Sequence, residues 1–461
     1  MLVRVTRPWT TELKHLLVVA APLVLAQLAQ NGMSFVDTLM VGRLGTTALA
    51  GIALGSTVLS TVYIMSAAVL LSVGPQVAQA VGAQRYDDAG RAARQGLWLA
   101  LLISLPGILI FTNAEALLRA LGMEPTTAAA AGGYLRAIAY GFPAAVGFTA
   151  MRGFLEGHGD TRPIMFIALA GVGLNVFVND TLIFGKYGFP ALGLVGTGFA
   201  TSTVYTFMFL LAAGLVSWRY GRYRVFAGLR TPDLATMAEL FRVGWPISLT
   251  LGFEVGLFSA AALVMGRFGE AALAGHQIAL QSASMSFMVP LGVAIATGVR
   301  VGQAAGRNDP VGVRRAGSVG IAVAAAFMVM AATVFWTVPR SVIGLYLRLN
   351  DPDNAATIAF AVRFLAVAGL FQVADGIQVA ASGALRGLKD TRVPMLLTLV
   401  AYWFLGLPVG LVLAFPLGVG PRGLWFGLAT ALALAAVMLT ARFARSTRPA
   451  PAAGTSGAPL G

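Results

Sequence analysis

The chain contains no cysteine. Disulfides and thiolate metal sites are therefore excluded, and the redox compartment is unreadable from cysteine usage. Only three histidines occur: His15 and His158 near expected loops and His276 alone at the start of an apolar run. No Ser-His pair or metal-ligand cluster emerges from them, so an intramembrane enzyme fits poorly. Lys14, Lys186 and Lys389 are the only lysines, and no GxxxxGK[ST] phrase occurs, which excludes a P-loop pump on this chain. Charge is scarce as well: 11% of the 461 residues, where a soluble domain carries about 25%.

What fills the chain instead is apolar: 57% hydrophobic residues and a mean hydropathy of +0.80. The stretches 16–36, 164–177, 320–338 and 395–416 hold no Asp, Glu, Lys, Arg or His. A helix needs about 20 apolar residues to cross a bilayer. A polytopic all-α membrane protein is expected. A transmembrane β-barrel is excluded, because the runs are continuous rather than alternating every second residue. The first run, from Leu16, is too long for a signal-peptide core and bears an acid near its end, so no cleaved leader is expected. The last stretch, 446–461, is rich in Ala, Pro, Gly and Ser and reads as a disordered tail.

Twelve spans are predicted, over 14–40, 48–80, 91–113, 128–155, 162–184, 191–217, 235–265, 271–304, 314–338, 356–384, 393–415 and 421–443. The N-terminus and the loops after even-numbered spans carry 23 of the 32 Lys and Arg. The positive-inside rule then puts both termini in the cytoplasm and explains the net charge of +14 without a nucleic-acid partner.

The chain repeats itself. VGRLGTTALAG (41–51) and MGRFGEAALAG (265–275) share 7 of 11 residues at an offset of 224. The same offset relates Pro22 to Pro246, Gly74 to Gly298, Gln79 to Gln303, Gly82 to Gly306 and Arg91 to Arg315. Further on the offset becomes 230, relating GFLEGHGDTR (153–162) to GALRGLKDTR (383–392). Two halves of six spans, 10–217 and 235–445, are joined by a basic linker, 218–234. Six is even, so both halves insert the same way round, related by a pseudo-two-fold axis along the membrane normal. That arrangement recurs in secondary transporters with a central site between the halves.

An acid in mid-span costs roughly 2.5–3.5 kcal/mol on insertion scales, so it faces protein or water and is a functional candidate. Gln27, Gln30, Asn31, Ser34 and Asp37 recur at helical spacing and form one polar stripe on the first span. The stripe reads as the wall of a wet cavity or as a hydrogen-bonded packing face. Glu254 lies mid-span in the seventh, with no basic residue within a helical turn. Asp375 shares a face of the tenth with Gln372, Gln378 and Ser382. Each acid reads as a cation or proton site, or as a structural acid. A carboxyl in an apolar surrounding holds a proton more tightly than one in water, the basis of an access-gated proton relay. Grouped with neutral oxygens, the same acids suit Na⁺. Asn175 and Asn179 share a face of the fifth span; Asp180 points about 100° away, toward the same cavity or outward. Pro22, Pro143, Pro246 and Pro290 fall inside spans, where proline kinks a helix.

At these residues the chain resembles the multidrug and toxic compound extrusion (MATE) transporters, in their NorM-like bacterial branch. The phrases that carry the resemblance are APLVLAQLAQNGMSFVDT (21–38), EGHGDTRP (156–163), the asparagine pair followed by IFGKYG (183–188), RVGQ (300–303) and GLKDTR (387–392). The resemblance covers 12–443. It implies a monomeric protein of the bacterial inner membrane, needing no cofactor, that exports amphipathic, often cationic drugs and dyes against Na⁺ or H⁺. It assigns Asp37, Glu254 and Asp375 to cation coupling and makes Asn175 and Asn179 the fifth-span polar pair, with Thr197 as a further candidate. In some archaeal members the second position of that pair is an acid; here it is Asn179, with Asp180 one step on. The competing reading, a lipid-linked oligosaccharide flippase of the same superfamily, expects a strongly cationic cavity, whereas the spans here hold acids.

Overall fold

A computed structural model describes residues 9–229 and 231–448. Most of the expected tail, 449–461, lies outside the described residues. The first half contains α1 (Trp9–Val41), α2 (Thr46–Leu70), α3 (Val73–Gly82), α4 (Tyr86–Thr112), α5 (Ala114–Ala120), α6 (Pro125–Ala139), α7 (Phe142–His158), α8 (Arg162–Phe184) and α9 (Gly193–Arg219). The second contains α10 (Leu234–Met265), α11 (Glu270–Gly306), α12 (Pro310–Thr337), α13 (Pro339–Ile343), α14 (Ala355–Gly387), α15 (Arg392–Leu399), α16 (Leu407–Ala414) and α17 (Pro421–Ser446). A π-helical segment, Val400–Gly406, joins α15 to α16. Among the described residues there is no strand.

Among the described residues, eleven helical segments are long and apolar enough to cross a membrane. The twelfth, expected as one helix over 128–155, is instead α6 and α7, broken at Tyr140 and Gly141. Pro143 is the cause: it has no N–H to donate and its ring crowds the preceding turn. The equivalent position in the second half, 230 residues on, is Val373, and there α14 runs unbroken. Ser202 of α9 repairs the break. Its Oγ accepts from the Gly141 N–H at 3.1 Å and donates to the Ala137 carbonyl at 2.7 Å. The Gly141 N–H keeps a bond to the Ile138 carbonyl at 3.0 Å, so Ser202→Ala removes only the serine's own bonds, and a loss of about 0.5–1.5 kcal/mol is expected, read as a lower thermal midpoint of the purified protein.

The doubled phrase writes the same turn twice. α1 and α10 each run into a short 3₁₀ turn, Gly42–Leu44 and Gly266–Phe268. Each turn ends on a glycine no L-residue replaces without strain: Gly45 at φ 105° and Gly269 at φ 93°. The repeat extends to side chains. Thr161 Oγ1 donates to the Val19 carbonyl at 3.0 Å, and Thr391 Oγ1 to the Val243 carbonyl at 2.9 Å.

The halves meet reciprocally: α1 packs on α11, α2 on α10, and α3 on the end of α11. Contact is closest on the side of the basic loops. There Gln79 Nε2 donates to the Gly387 carbonyl at 2.8 Å, and its counterpart Gln303 donates to the Gly157 carbonyl at 3.0 Å. Arg300 and Glu12 add a two-pronged ion pair between the halves, both contacts 2.8 Å. On the far side a Cβ built at Gly42, Gly45, Gly266 or Gly269 would meet nothing within 4 Å, and Phe268 stacks on Phe415 of its own half. The halves are clasped at one end, and these glycine turns stand open at the other. Large apolar side chains such as Leu109 and Leu263 remain exposed on the outer surface, as a lipid-facing belt requires.

The linker belongs structurally to the first half. Arg94 donates to the carbonyls of Arg224 and Val225, and Trp98 to that of Leu229. Tyr220 packs on His158 and donates to Asp160 at 2.8 Å. Burial, together with the Asp160 carboxylate, pushes the Tyr220 hydroxyl pKa upward, so it stays a donor. Asp233 caps α10, accepting from the backbone of Ala235 and Thr236. Those bonds, led by the Thr236 hydroxyl, hold its carboxyl below the ordinary value.

Candidate functional site

Two polar sites lie at different places. The first is enclosed in the first half. Asp37 on α1 accepts through Oδ1 from Asn175 Nδ2, at 3.0 Å, and from Asn179 Nδ2. The two asparagines sit one helical turn apart on α8, so both amides reach one carboxylate. All three side chains are buried. The Oδ1 atoms of both asparagines, and Oγ1 of the buried Thr197 on α9, have no hydrogen-bond partner among the described residues. Buried acceptors normally find partners, and the two orphaned asparagine oxygens beside the Asp37 carboxylate have the chemistry to receive a hard cation. Asp180 is elsewhere: it pairs with Lys186 at 2.9 Å, the outward of its two open alternatives.

The second site is the space between the halves. A cavity of about 640 Å³ is walled by α1, α2, α7, α10, α11, α14 and α15. It reaches from Ala262 and Gln277, near the parted side, to Glu156, Arg386 and Asp390, near the clasped side. Tyr63, Phe258, Phe287 and Phe371 give it apolar and aromatic walls. Glu254 and Asp375 both line it, as does Gln378, whose Nε2 donates to Asp375 Oδ1 at 3.2 Å. Gln378 thus lies beside both acids, bonded to Asp375 and close enough to Glu254 to interact with it.

The expected stripe on α1 divides. Gln27 and Gln30 line the cavity, but two turns further on Asp37 packs against α8. Asn31 donates to the Gln27 carbonyl and approaches the Met288 sulfur across the interface, and Ser34 is exposed. Neither lines the cavity, and neither does Gln372, which is buried and bonded to Ser286. Of the two readings open for these positions, Asn31 and Gln372 take the hydrogen-bonded packing one, and Ser34 lies exposed. They share their helix faces with true lining residues, but the halves diverge along that direction.

Sequence reasoning assigned no role to the charged floor. Arg152 Nε pairs with Glu156 at 2.7 Å, and Arg152 Nη1 reaches Gln30 Oε1 at 3.4 Å. Asp390 pairs with Arg442 at 2.8 Å. Arg386 stands beside them, its charge felt by Glu254 and Glu156. The repeat held the signal. Offset 230 aligns Glu156 with Arg386, and offset 224 aligns Gln30 with Glu254, so symmetry-related positions carry unlike charge and converge at the interface.

Comparison with known proteins agrees with this architecture. Residues 22–181 and 246–412 match the MatE family, one block in each half. The probable multidrug resistance protein NorM of Burkholderia pseudomallei is 43% identical over 431 residues, 93% of this chain and 92% of that protein. The protein of the same name from Deinococcus radiodurans is 43% identical over 440 residues, 95% of this chain and 96% of that protein. Among solved structures, a eukaryotic MATE transporter superposes with a TM-score of 0.84 at 20% identity, covering 95% of this chain and 99% of its own. A multidrug resistance MATE transporter in an outward-facing conformation gives 0.83 at 20% identity, covering 95% and 96%. The structural likeness establishes the twelve-helix fold. With two matched blocks, one per half, and full-length relatives above 40% identity, the chain belongs to the MATE family, in its NorM-like branch.

Proposed function

We propose that this protein is a secondary active exporter of amphipathic, often cationic compounds, exchanging them for Na⁺ or H⁺ by alternating access. The observation that carries the reading is the cavity between the halves: apolar and aromatic walls with two acids, Glu254 and Asp375, beside Gln378. Apolar walls supply loose fit and the acids supply charge. The basic side is assigned to the cytoplasm of a bacterial inner membrane, with both termini there, because 23 of 32 Lys and Arg lie on it. On this reading the clasp on the basic side makes the conformation outward-open and the transporter a monomer. Asp37 with Asn175 and Asn179, and Thr197 as a further oxygen, form the candidate coupling site of the first half. Glu254 and Asp375 form that of the second, where ion and drug meet the same carboxylates. Two ligands that compete for one site exchange by linkage.

A flippase for lipid-linked pyrophosphates needs a cavity of net positive charge. Here the floor arginine Arg152 is tied to Glu156, and one further arginine faces two acids. The test is ethidium transport by the purified protein in proteoliposomes, under an imposed Na⁺ gradient and an imposed pH gradient applied separately. Accumulation driven by one gradient and collapsed by dissipating it supports export by exchange. No gradient-driven movement under either condition overturns it.

A further inference from the structure

A second cavity, of about 210 Å³, lies apart from the central one, on the side of the basic loops. A single water needs about 15 Å³ of such space, so this cavity has room for a group of several atoms. Its charged lining is Glu12 on α1, Arg300 on α11, Arg307 and Asp309 in the loop that follows, and Arg315 on α12. It therefore straddles a seam: α1 belongs to the first half, α11 and α12 to the second. Three guanidinium groups stand against two carboxylates, and both carboxylates are engaged. Glu12 is held by Arg300 through both oxygens, each at 2.8 Å, and Asp309 Oδ1 accepts from the Gly312 N–H at 2.8 Å. Arg315 is half-buried and makes no ion pair and no side-chain hydrogen bond among the described residues.

The internal repeat shows that only the second half is built this way. At offset 224 Arg315 corresponds to Arg91, which pairs with Asp88 at 3.3 Å. The counterpart of Asp88 is Gly312, so the second arginine has no acid one turn away. A Cβ on Gly312 would collide with the capping carboxylate of Asp309, so that position stays without a side chain. Ala83 of the first half becomes Arg307 in the second. A paired arginine in one half is thus an unpaired one, with added positive charge, in the other. The positive end of α12 reinforces this, because Asp309 and Gly312 at its start line the same space. A guanidinium meets a phosphate through parallel hydrogen bonds, and basic pockets between membrane helices on the cytoplasmic side take lipid headgroups. Apolar surface lies alongside: Trp9 and Leu13, within a turn of Glu12, and Val311 at the start of α12 are all exposed. An exposed tryptophan at a helix end marks the membrane–water interface, which puts the cavity at headgroup depth.

We propose that this cavity is a binding site for a phosphate-bearing anion, and that its occupant is the headgroup of an acidic phospholipid from the leaflet on the basic side. Arg315 supplies the unmatched guanidinium fork, with Arg300 and Arg307 as the neighbouring walls. The acyl chains lie over the exposed apolar surface at the starts of α1 and α12. The site shares no residue with the central cavity, so it stands whether or not that cavity carries cargo. The opposing role for Arg315 is a hydrated surface arginine, and the other source of the same chemistry is free phosphate.

The experiment uses the full-length protein in detergent, with native mass spectrometry giving the dissociation constant of the first lipid bound. Dioleoylphosphatidylglycerol is compared with dioleoylphosphatidylcholine, whose phosphate is offset by its own choline. The native protein is expected to bind the acidic lipid about tenfold more tightly, the range of a charge-assisted hydrogen bond. In Arg315→Gln the ratio falls to about one. Arg315→Lys keeps the charge without the fork, and its ratio lies between the two. Arg91→Gln, at the symmetry-related position with its own acid, leaves the ratio as it is in the native protein. Arg315 bonds to nothing in the protein, so its variants should keep the native thermal midpoint in lipid-free detergent. A ratio of about one in the native protein overturns the proposal without any variant. So does a preference that survives Arg315→Gln, or one that Arg91→Gln removes equally. Inorganic phosphate is the third arm. If it displaces the acidic lipid at micromolar concentration, and only with Arg315 present, the cavity belongs to a free anion and the lipid is overturned as its occupant.

Discussion

Alanine at both Gly82 and Gly306 is expected to open the transporter to the cytoplasm. Gly82 lies so close to the backbone of Gln303 that an added Cβ meets its carbonyl oxygen at 2.2 Å. Gly306 is in the reciprocal position, and its Cβ meets the Gln79 carbonyl oxygen at 2.0 Å. Real contacts of this kind do not fall below 3.0 Å. The obstructing atoms are backbone, on helices α3 and α11, and cannot swing aside as a side chain does. Each substitution therefore wedges the halves apart where Gln79 and Gln303 clasp them. Overpacking of this kind costs about 1–3 kcal/mol per site. The pair shifts the open–closed balance by about 2–6 kcal/mol, and about 5.5 kcal/mol suffices to invert a 99:1 population. The chain has no cysteine, so Ser382→Cys at the cavity floor gives a single reporter. In the native background it should react with an impermeant maleimide from the outside only. With both alanines it should react from the inside as well. Labelling that stays one-sided while the protein keeps its native thermal midpoint removes this clasp as the cytoplasmic gate.

The twelve crossings and the two halves were legible in the sequence because bilayer thickness sets a length that composition fills, and because the repeat is written in glycines and prolines whose backbone roles survive divergence. Gly45 and Gly269 are the clearest case: the doubled phrase specifies a positive-φ turn in both halves. The broken fourth crossing was missed although Pro143 was noted, since a proline inside a membrane helix kinks or breaks it according to what accepts the freed groups. Ser202, 61 residues on from Gly141, accepts from the backbone at the break here. Asp37, Asn175 and Asn179 were each singled out, and helical spacing placed both amides on one face. Their convergence on one oxygen depends on how α8 crosses α1, which periodicity does not encode. The charged floor was the larger omission. Arg152, Glu156 and Arg386 were counted as basic-loop residues or as parts of a motif, because they sit at span ends where charge is cheap. Only the packing of the halves turns those ends inward. Glu254, which has no basic neighbour along its own helix, meets the field of Arg386 from 132 positions away.

Asp37→Asn should stop gradient-driven export while leaving drug binding nearly as it was. Asp37 does not line the cavity; it is enclosed against α8 with its two asparagines. A ligand between the halves therefore makes no direct contact with it, and its loss should leave the ethidium dissociation constant within about threefold, under 1 kcal/mol. Asparagine keeps the volume of aspartate but removes the charge that sets the affinity for a proton or Na⁺. It also brings a third amide to a cluster in which two amides already donate to one oxygen. Coupling free energies between sites correspond to about 5- to 150-fold effects, and a loss of ethidium accumulation in that range is expected under whichever gradient drives the native protein. Glu254→Gln with Asp375→Asn should behave in the opposite way. Those acids line the cavity, so ethidium binding itself should fall, by about tenfold or more for a lost charge-assisted contact. Measuring affinity and transport for both variants separates the roles. If Asp37→Asn weakens binding as much as transport, the two polar sites act as one. If it transports normally, the first half carries no coupling ion, and exchange runs through the acids on α10 and α14 alone.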